Sequence, residues 1–357
     1  MGARWQGGDL LITKDGRVRD IDGDPIARTE LLRSSMNLSP TEFRKGLSRR
    51  LLALIPNAAP LENASEVHRR DVHRRDENGQ AALTHCEGRP YVVDTKAVTA
   101  GRAEDADARE WLDKGPLPLV GPLSAEARAK LAESFGNAAL FEHASVASFG
   151  RFALELLAVG APGDLVEAAH QAALDEIRHA RLLFALASAY SATIVAPGMF
   201  PFEGRVEISS NLADVAARTI REGCLGETIA ACVAAEQASA AKDPAVRMAL
   251  AQIASDEARH AELAFKMAAW ALRVGGPDVR EAVSKAIEMA LTEASEWKEE
   301  NHGEADTLAA HGQIGAMAVQ VAIERARKDV VEPAAKALLS QSHSPLESTP
   351  FPPRVRS

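Results

Sequence analysis

The pentapeptide Asp175-Glu176-Ile177-Arg178-His179 recurs as Asp256-Glu257-Ala258-Arg259-His260, and each copy lies deep inside a long, alanine-rich stretch with helical periodicity. A Glu and a His three residues apart are separated by about 300° around a helix, so both leave the same face one turn apart. The chain must therefore fold so that two helices each present a carboxylate and an imidazole from one face. Aromatics make up only 4% of the 357 residues against 46% hydrophobics, so small aliphatic side chains have to fill the core. That composition favours closely packed helices over a sandwich or barrel.

Punctuation residues set the expected organisation. Residues 1–120 carry short apolar runs and turn residues, which predict a small, irregular α+β region. Within it, Leu10 to Lys14 and Arg17 to Ile21 flank Asp15-Gly16 as a β-hairpin, and Thr84 to Asp94 reads as a second. Ser39-Pro40-Thr41-Glu42 starts a helix with a capping box, ending near Ile55 before Pro56. The tandem Val67-His-Arg-Arg-Asp and Val72-His-Arg-Arg-Asp reads as a charged, solvated loop, and Gly115 to Pro122 as a linker.

From residue 121 to 340 the pattern is one of long helices, expected over 124–159, 163–191, 211–241 and 244–274. Two more follow, over 277–300 and 304–340, the latter interrupted near Pro333. The first two long helices are joined tightly at Gly160-Ala161-Pro162 and the third and fourth at Lys242-Asp243-Pro244. Residues 192–210, with Pro197, Gly198, Pro201 and Gly204, form a longer crossover. Short, long, short is the connectivity of a ferritin-like four-helix bundle, here with two extra C-terminal helices. The tail 341–357, rich in Ser and Pro, reads as disordered.

In antiparallel helices, residues equally far from the connecting turn lie at one depth. Glu142 is about 19 residues before the first turn, and Glu176 and His179 are about 15 and 18 after it. Glu227 is about 16 before the second turn, and Glu257 and His260 about 14 and 17 after it. Each hairpin thus supplies a lone Glu and a Glu-x-x-His, giving the candidate ligand set Glu142, Glu176, His179, Glu227, Glu257 and His260. Glu222 competes with Glu227 but projects about 140° away from it. Four carboxylates balance two divalent ions, and oxygen and nitrogen donors suit iron or manganese. Asp175 and Asp256, four before each His, are placed to accept the proton of the other hairpin's imidazole, with Arg178 and Arg259 to pair with them.

Other residues fall outside this set. Gly223 and Gly226 beside Glu227 read either as close helix packing or as space for O2 or substrate, while Cys224 and Cys232 read as core. His143 and His170 point away from the ligand face, and His311 on the last helix is left out of the ligand set. Three cysteines make neither a disulfide framework nor a thiolate cluster and suit a reducing cytoplasm. A net charge of −9 argues against nucleic acid, and no apolar run approaches a membrane span.

Glu142, Glu176-x-x-His179, Glu227 and Glu257-x-x-His260 resemble the ligand set of the ferritin-like di-iron carboxylate superfamily, over residues 123–275. The doubled motif is similar to that of monooxygenase hydroxylases, acyl-carrier-protein desaturases, rubrerythrins and ribonucleotide reductase small subunits. Ferritins usually lack the second Glu-x-x-His, the usual radical Tyr position is here Leu183, and no rubredoxin-like cysteine module is present. The resemblance implies an O2-activating non-haem di-iron oxidoreductase, whether hydroxylase, N-oxygenase, desaturase or oxidase, acting on a small organic substrate. It implies two iron ions, with manganese as the alternative, and an external electron donor such as a reductase or ferredoxin. A ferroxidase or iron-handling protein, a dimanganese catalase and a non-catalytic interaction protein are the rival readings. Ala-rich outer helices suit a homodimer.

Overall fold

A computed structural model describes residues 11–12, 18–19, 39–55, 89, 91–93, 96–103, 106–202, 206–292 and 304–340. It is mainly α-helical. In chain order the elements are β1 (Leu11–Ile12), β2 (Val18–Arg19), α1 (Pro40–Ala53), β3 (Val92–Val93) and β4 (Lys96–Ala97), then α2 (Ala125–Ala158) and α3 (Gly163–Ser191). Next come α4 (Leu212–Arg218), a π-helical segment (Thr219–Glu227), α5 (Thr228–Ala240), α6 (Pro244–Val274) and α7 (Pro277–Thr292). The chain closes with α8 (Ala305–Ala310), α9 (Ala316–Ala326), a second π turn (Arg327–Val331) and α10 (Glu332–Ser340).

Local chemistry sets the helix ends. Ser39 accepts from the Glu42 amide while the Glu42 side chain accepts from Ser39, closing the capping box of α1. Ser124 caps α2, which stops where Gly160 adopts φ +69. Asp243 accepts from Ala245 and Val246 at the start of α6, with Pro244 at its first position. The two tight connections thus give two long hairpins, α2 with α3 and α4–α5 with α6, and α3 packs on α6 between them.

Three expectations are corrected, while the interruption expected near Pro333 is present as a π turn. The third long helix is not a regular α-helix throughout: nine residues, Thr219–Glu227, are wound as a π-helix. The last helix breaks at Gly312, with φ +80, where a Cβ would lie 2.5 Å from Leu250 Cδ1. The second π turn ends just before Pro333, where a widened turn accommodates the missing amide and the clash of the ring with the preceding turn. The second hairpin lies further along the chain, with Val92 paired to Ala97 and Val93 to Lys96. In the first hairpin Leu11 pairs with Arg19 and Ile12 with Val18. The duplicated Val-His-Arg-Arg-Asp, Cys86 and the tail 341–357 lie outside the described residues.

The presumed linker and crossover are fastened to the bundle. Leu119 N donates to Asp243 at 2.8 Å, and Asp113 N to the Arg181 carbonyl at 3.1 Å. Arg102 bridges to Pro197, with Gly198 N donating to the Gly101 carbonyl at 2.7 Å. No described helix is long and apolar enough to cross a membrane.

Two apolar cores divide the bundle. One gathers Phe149, Phe152, Leu156 and Leu165 with Leu263, Phe265 and Trp270. The other gathers Leu131, Phe135 and Leu140 with Leu183, Phe184, Tyr190 and Leu250. Between them, along every long helix, lies a layer of buried polar residues: Glu142, Glu176, His179, Glu227, Glu257 and His260. Close helix approach beside this layer depends on Gly223, whose added Cβ would fall 2.5 Å from Ala264 Cβ and 3.0 Å from Arg89 Nη2. Gly223→Ala should therefore destabilise the protein by about 1–3 kcal/mol, although alanine is the better helix former. Urea unfolding of the variant, with a lower midpoint at unchanged slope, checks this.

Candidate metal centre

The π segment places the least predictable ligand. A π-helix offsets the hydrogen-bond ladder and leaves carbonyls unsatisfied. Threonines at its two ends add hydrogen bonds: Thr219 Oγ1 donates to the Val215 carbonyl at 2.8 Å and Thr228 Oγ1 to the Cys224 carbonyl at 2.7 Å. Glu227, its last residue, is fully buried, whereas Glu222 is turned towards two arginines. Arg151 Nη2 donates to both Glu222 oxygens at 3.0 and 3.1 Å.

The six candidate side chains converge in the layer between the two cores. His179 Nδ1 lies 3.4 Å from Glu142 Oε2, 3.5 Å from Glu176 Oε2 and 3.3 Å from Glu257 Oε1. His260 Nδ1 lies 3.1 Å from Glu176 Oε1 and 3.4 Å from Glu257 Oε2. Two sets of donor atoms form, each mutually within 4.8 Å: Glu142, Glu176, His179 and Glu257, and Glu176, Glu227, Glu257 and His260. Glu176 and Glu257 belong to both. The centre is thus two overlapping four-residue cages sharing their middle pair of carboxylates.

These atoms lack hydrogen-bond donors. Both oxygens of Glu176, Glu227 and Glu257, one of Glu142, and Nδ1 of both histidines are buried without a hydrogen-bond partner. Leaving such groups unsatisfied costs about 1–3 kcal/mol each, more when charged. The cluster offsets that cost by holding protons. Burial, reinforced by the charge of Glu176, pushes the Glu142 carboxyl well above the usual range, and burial with Glu257 does the same for Glu227. Burial opposes ionisation of Glu257 too, but Glu227, His260 and His179 outweigh it and hold its carboxylate well below the usual range. Burial also opposes charge on the imidazoles, yet the surrounding carboxylates lift His179 well above its ordinary value and His260 to about 10.

The outer nitrogen of each imidazole faces an aspartate from the opposite hairpin. His179 Nε2 is 3.1 Å from Asp256 Oδ2, and His260 Nε2 is 3.3 Å from Asp175 Oδ2. With Nε2–H so engaged, each Nδ1 is the nitrogen turned to the carboxylates. Arg259 reaches Asp256 at 2.7 Å and Asp175 at 3.0 Å, and Arg178 pairs with Asp175.

Sequence reasoning passed over two kinds of support. Gln171 Nε2 donates to Asp175 Oδ1 at 3.2 Å, and Gln252 Nε2 to Asp256 Oδ1 at 2.6 Å. Extending the repeat four residues backwards finds both. Arg89, from the N-terminal region, is fully buried against Phe149 and Phe152, with Nε 3.7 Å from Glu222 and 4.0 Å from Glu227. Nothing local in the sequence marks it.

The remaining described histidines and cysteines lie apart. His143 packs edge-on to Trp111 at 4.9 Å, His170 is exposed, and His311 Nδ1 is 2.7 Å from Tyr190 Oη. Cys224 and Cys232 are free and buried, and burial lifts the Cys232 thiol to about 12. No family model, curated protein or solved structure matches the chain.

Asp175→Asn and Asp256→Asn should each lower divalent-metal affinity by about 10–100-fold while leaving the helical content of the metal-free protein unchanged. Calorimetric titration alongside circular dichroism tests both halves of that expectation. Unaltered affinity in the two variants would remove the aspartates from the centre.

Proposed function

We propose that the chain is an O2-activating non-haem di-iron oxidoreductase built on a ferritin-like bundle. The observation that carries this reading is the pair of overlapping cages with shared Glu176 and Glu257, whose inward atoms have no hydrogen-bond partners. The donor set fits the group. Glu142 and His179 would hold one ion, Glu227 and His260 the other, with Glu176 and Glu257 able to serve both. Four carboxylates neutralise two divalent ions, which makes burial of the pair affordable, and the hard donors suit iron, then manganese.

Bound there, two irons would supply paired one-electron chemistry and a Lewis-acid face for O2. The chain's own residues do the rest. Asp256 and Asp175 fix the imidazole tautomers, Arg259 and Arg178 hold the aspartates, and the flanking apolar cores keep water away. An oxidase or oxygenase also takes a small organic substrate and an external electron donor, such as a reductase or ferredoxin. The full Glu and Glu-x-x-His triplet in each half favours this class over iron storage.

Metal uptake must displace protons, because Glu142 and Glu227 hold theirs tightly and the histidines stay protonated through neutrality. The sign follows. Raised values mean protons compete with metal, so affinity climbs as pH rises and metal uptake releases protons. Pairing calorimetry in buffers of different ionisation enthalpy counts them; release of none would contradict the protonation pattern.

Anaerobic loading with Fe(II) should give two irons per chain, and O2 should then be consumed in a substrate-dependent way. Glu176→Ala or Glu257→Ala should lose both ions. Accumulating ferric mineral, or vigorous O2 release from peroxide by the manganese form, would instead assign iron handling or catalase activity.

A further inference from the structure

The repeat makes the two halves of the centre alike, but among the described residues one buried arginine enters only one of them. Arg89 is fully buried, with its guanidinium 4.1 Å from the Phe152 ring centre and 5.1 Å from that of Phe149. Its Nε is 4.0 Å from Glu227 Oε1. The neighbouring Glu222 does not cancel this charge, because Arg151 already binds both Glu222 oxygens. Buried Glu155, which also acts on Arg89, is itself paired with Arg218, so three arginines and two carboxylates leave one positive charge beside Glu227.

The other half has a different arrangement. There the arginine over a helix glycine is Arg102, whose Nη2 would lie 3.0 Å from a Cβ at Gly136, as Arg89 Nη2 would at Gly223. Arg102, however, is exposed and binds neutral acceptors, Asn137 Oδ1 at 3.1 Å and the Glu133 carbonyl at 3.4 Å. Its charge sits in water, where screening is strong, whereas that of Arg89 acts through protein. Gly136 also precedes Glu142 by more than a helical turn.

We propose that Arg89 makes the two metal positions unequal: the position on Glu142 and His179 binds its ion first and more tightly, and the position on Glu227 and His260 binds more weakly. This rests on the di-metal reading above. It gives the N-terminal region a role in the centre, since the segment carrying Arg89 is itself strapped to α2 by Arg151 Nη1 on the Val92 carbonyl at 3.2 Å. Arg89 acts here as a positioning residue, through its charge on Glu227.

The test is a titration of the metal-free full chain with Mn2+, following the free ion by its paramagnetic resonance signal. Wild type should show two steps separated by about tenfold or more, the size expected for one poorly screened charge. Arg89→Met, which keeps a flexible side chain between the two phenylalanines, should close the gap by strengthening the weaker step, and Arg89→Lys should retain it. Arg151→Met should also narrow the gap, by freeing Glu222 to neutralise Arg89, and it serves if Arg89→Met does not fold. Glu227→Ala should abolish the weaker step and Glu142→Ala the tighter one. Equal steps in wild type, an unchanged gap in a folded Arg89→Met, or a weaker step that vanishes with Glu142→Ala would each overturn the inference while leaving the di-metal reading intact. Wild type that takes up no Mn2+ and no Fe(II) would overturn both.

Discussion

Four carboxylates gathered in one dry layer of a helical protein repel one another and cannot all be ionised without compensation. That constraint governs the molecule. Glu142, Glu176, Glu227 and Glu257 are all buried, and burial with like charge pushes the Glu142 and Glu227 carboxyls upward while the surrounding carboxylates raise both histidines. Such an arrangement costs stability, since partnerless buried polar atoms recover none of their lost hydration. The apolar packing above and below the layer has to offset that cost, and alanine-lined helix contacts allow it by bringing long helices close together. A pair of divalent ions would replace proton sharing by direct neutralisation, turning the most strained layer into a binding site.

The support around the layer follows the duplication. Each half contributes a glutamine, an aspartate, a glutamate, an arginine and a histidine at the same spacing, and the aspartates cross between hairpins to the opposite histidines. The crossing ties the geometry of one half to the other, so neither hairpin holds its imidazole unaided. Arg89 breaks the symmetry from outside the repeat, and the π segment breaks it from within, since the helix bearing Glu142 is a regular α-helix and that bearing Glu227 is not.

Features set by local chemistry were legible in the chain. Helix ends at Ser124, Gly160 and Asp243-Pro244 follow from capping and from the φ preferences of glycine and proline, and counting residues from two tight turns places six Glu and His side chains at one depth, where the structure gathers them into groups that could hold metal. Features set by distant packing were not. Within the π-wound segment Thr219–Glu227, the space beside Gly223 is bounded by Ala264 and Arg89, neither of which is near it in sequence. The preference for Glu227 over Glu222 was legible from their projection on the helix, whereas the Arg151 that binds Glu222, on another helix, was not. Helix α8 ends at Ala310, and Gly312 just beyond it takes a positive φ in a spot where Leu250 leaves no room for a Cβ. The glutamines, by contrast, stood in the repeat and needed only a longer window.

The central claim is that two metal ions sit in cages sharing Glu176 and Glu257. Anomalous diffraction from crystals of the full chain loaded anaerobically with Fe(II) tests it most directly. The account predicts two peaks in the buried layer, one against Glu142 and His179, the other against Glu227 and His260, with Glu176 and Glu257 touching both. No peak in that layer, or a single peak that leaves one histidine free, would contradict it.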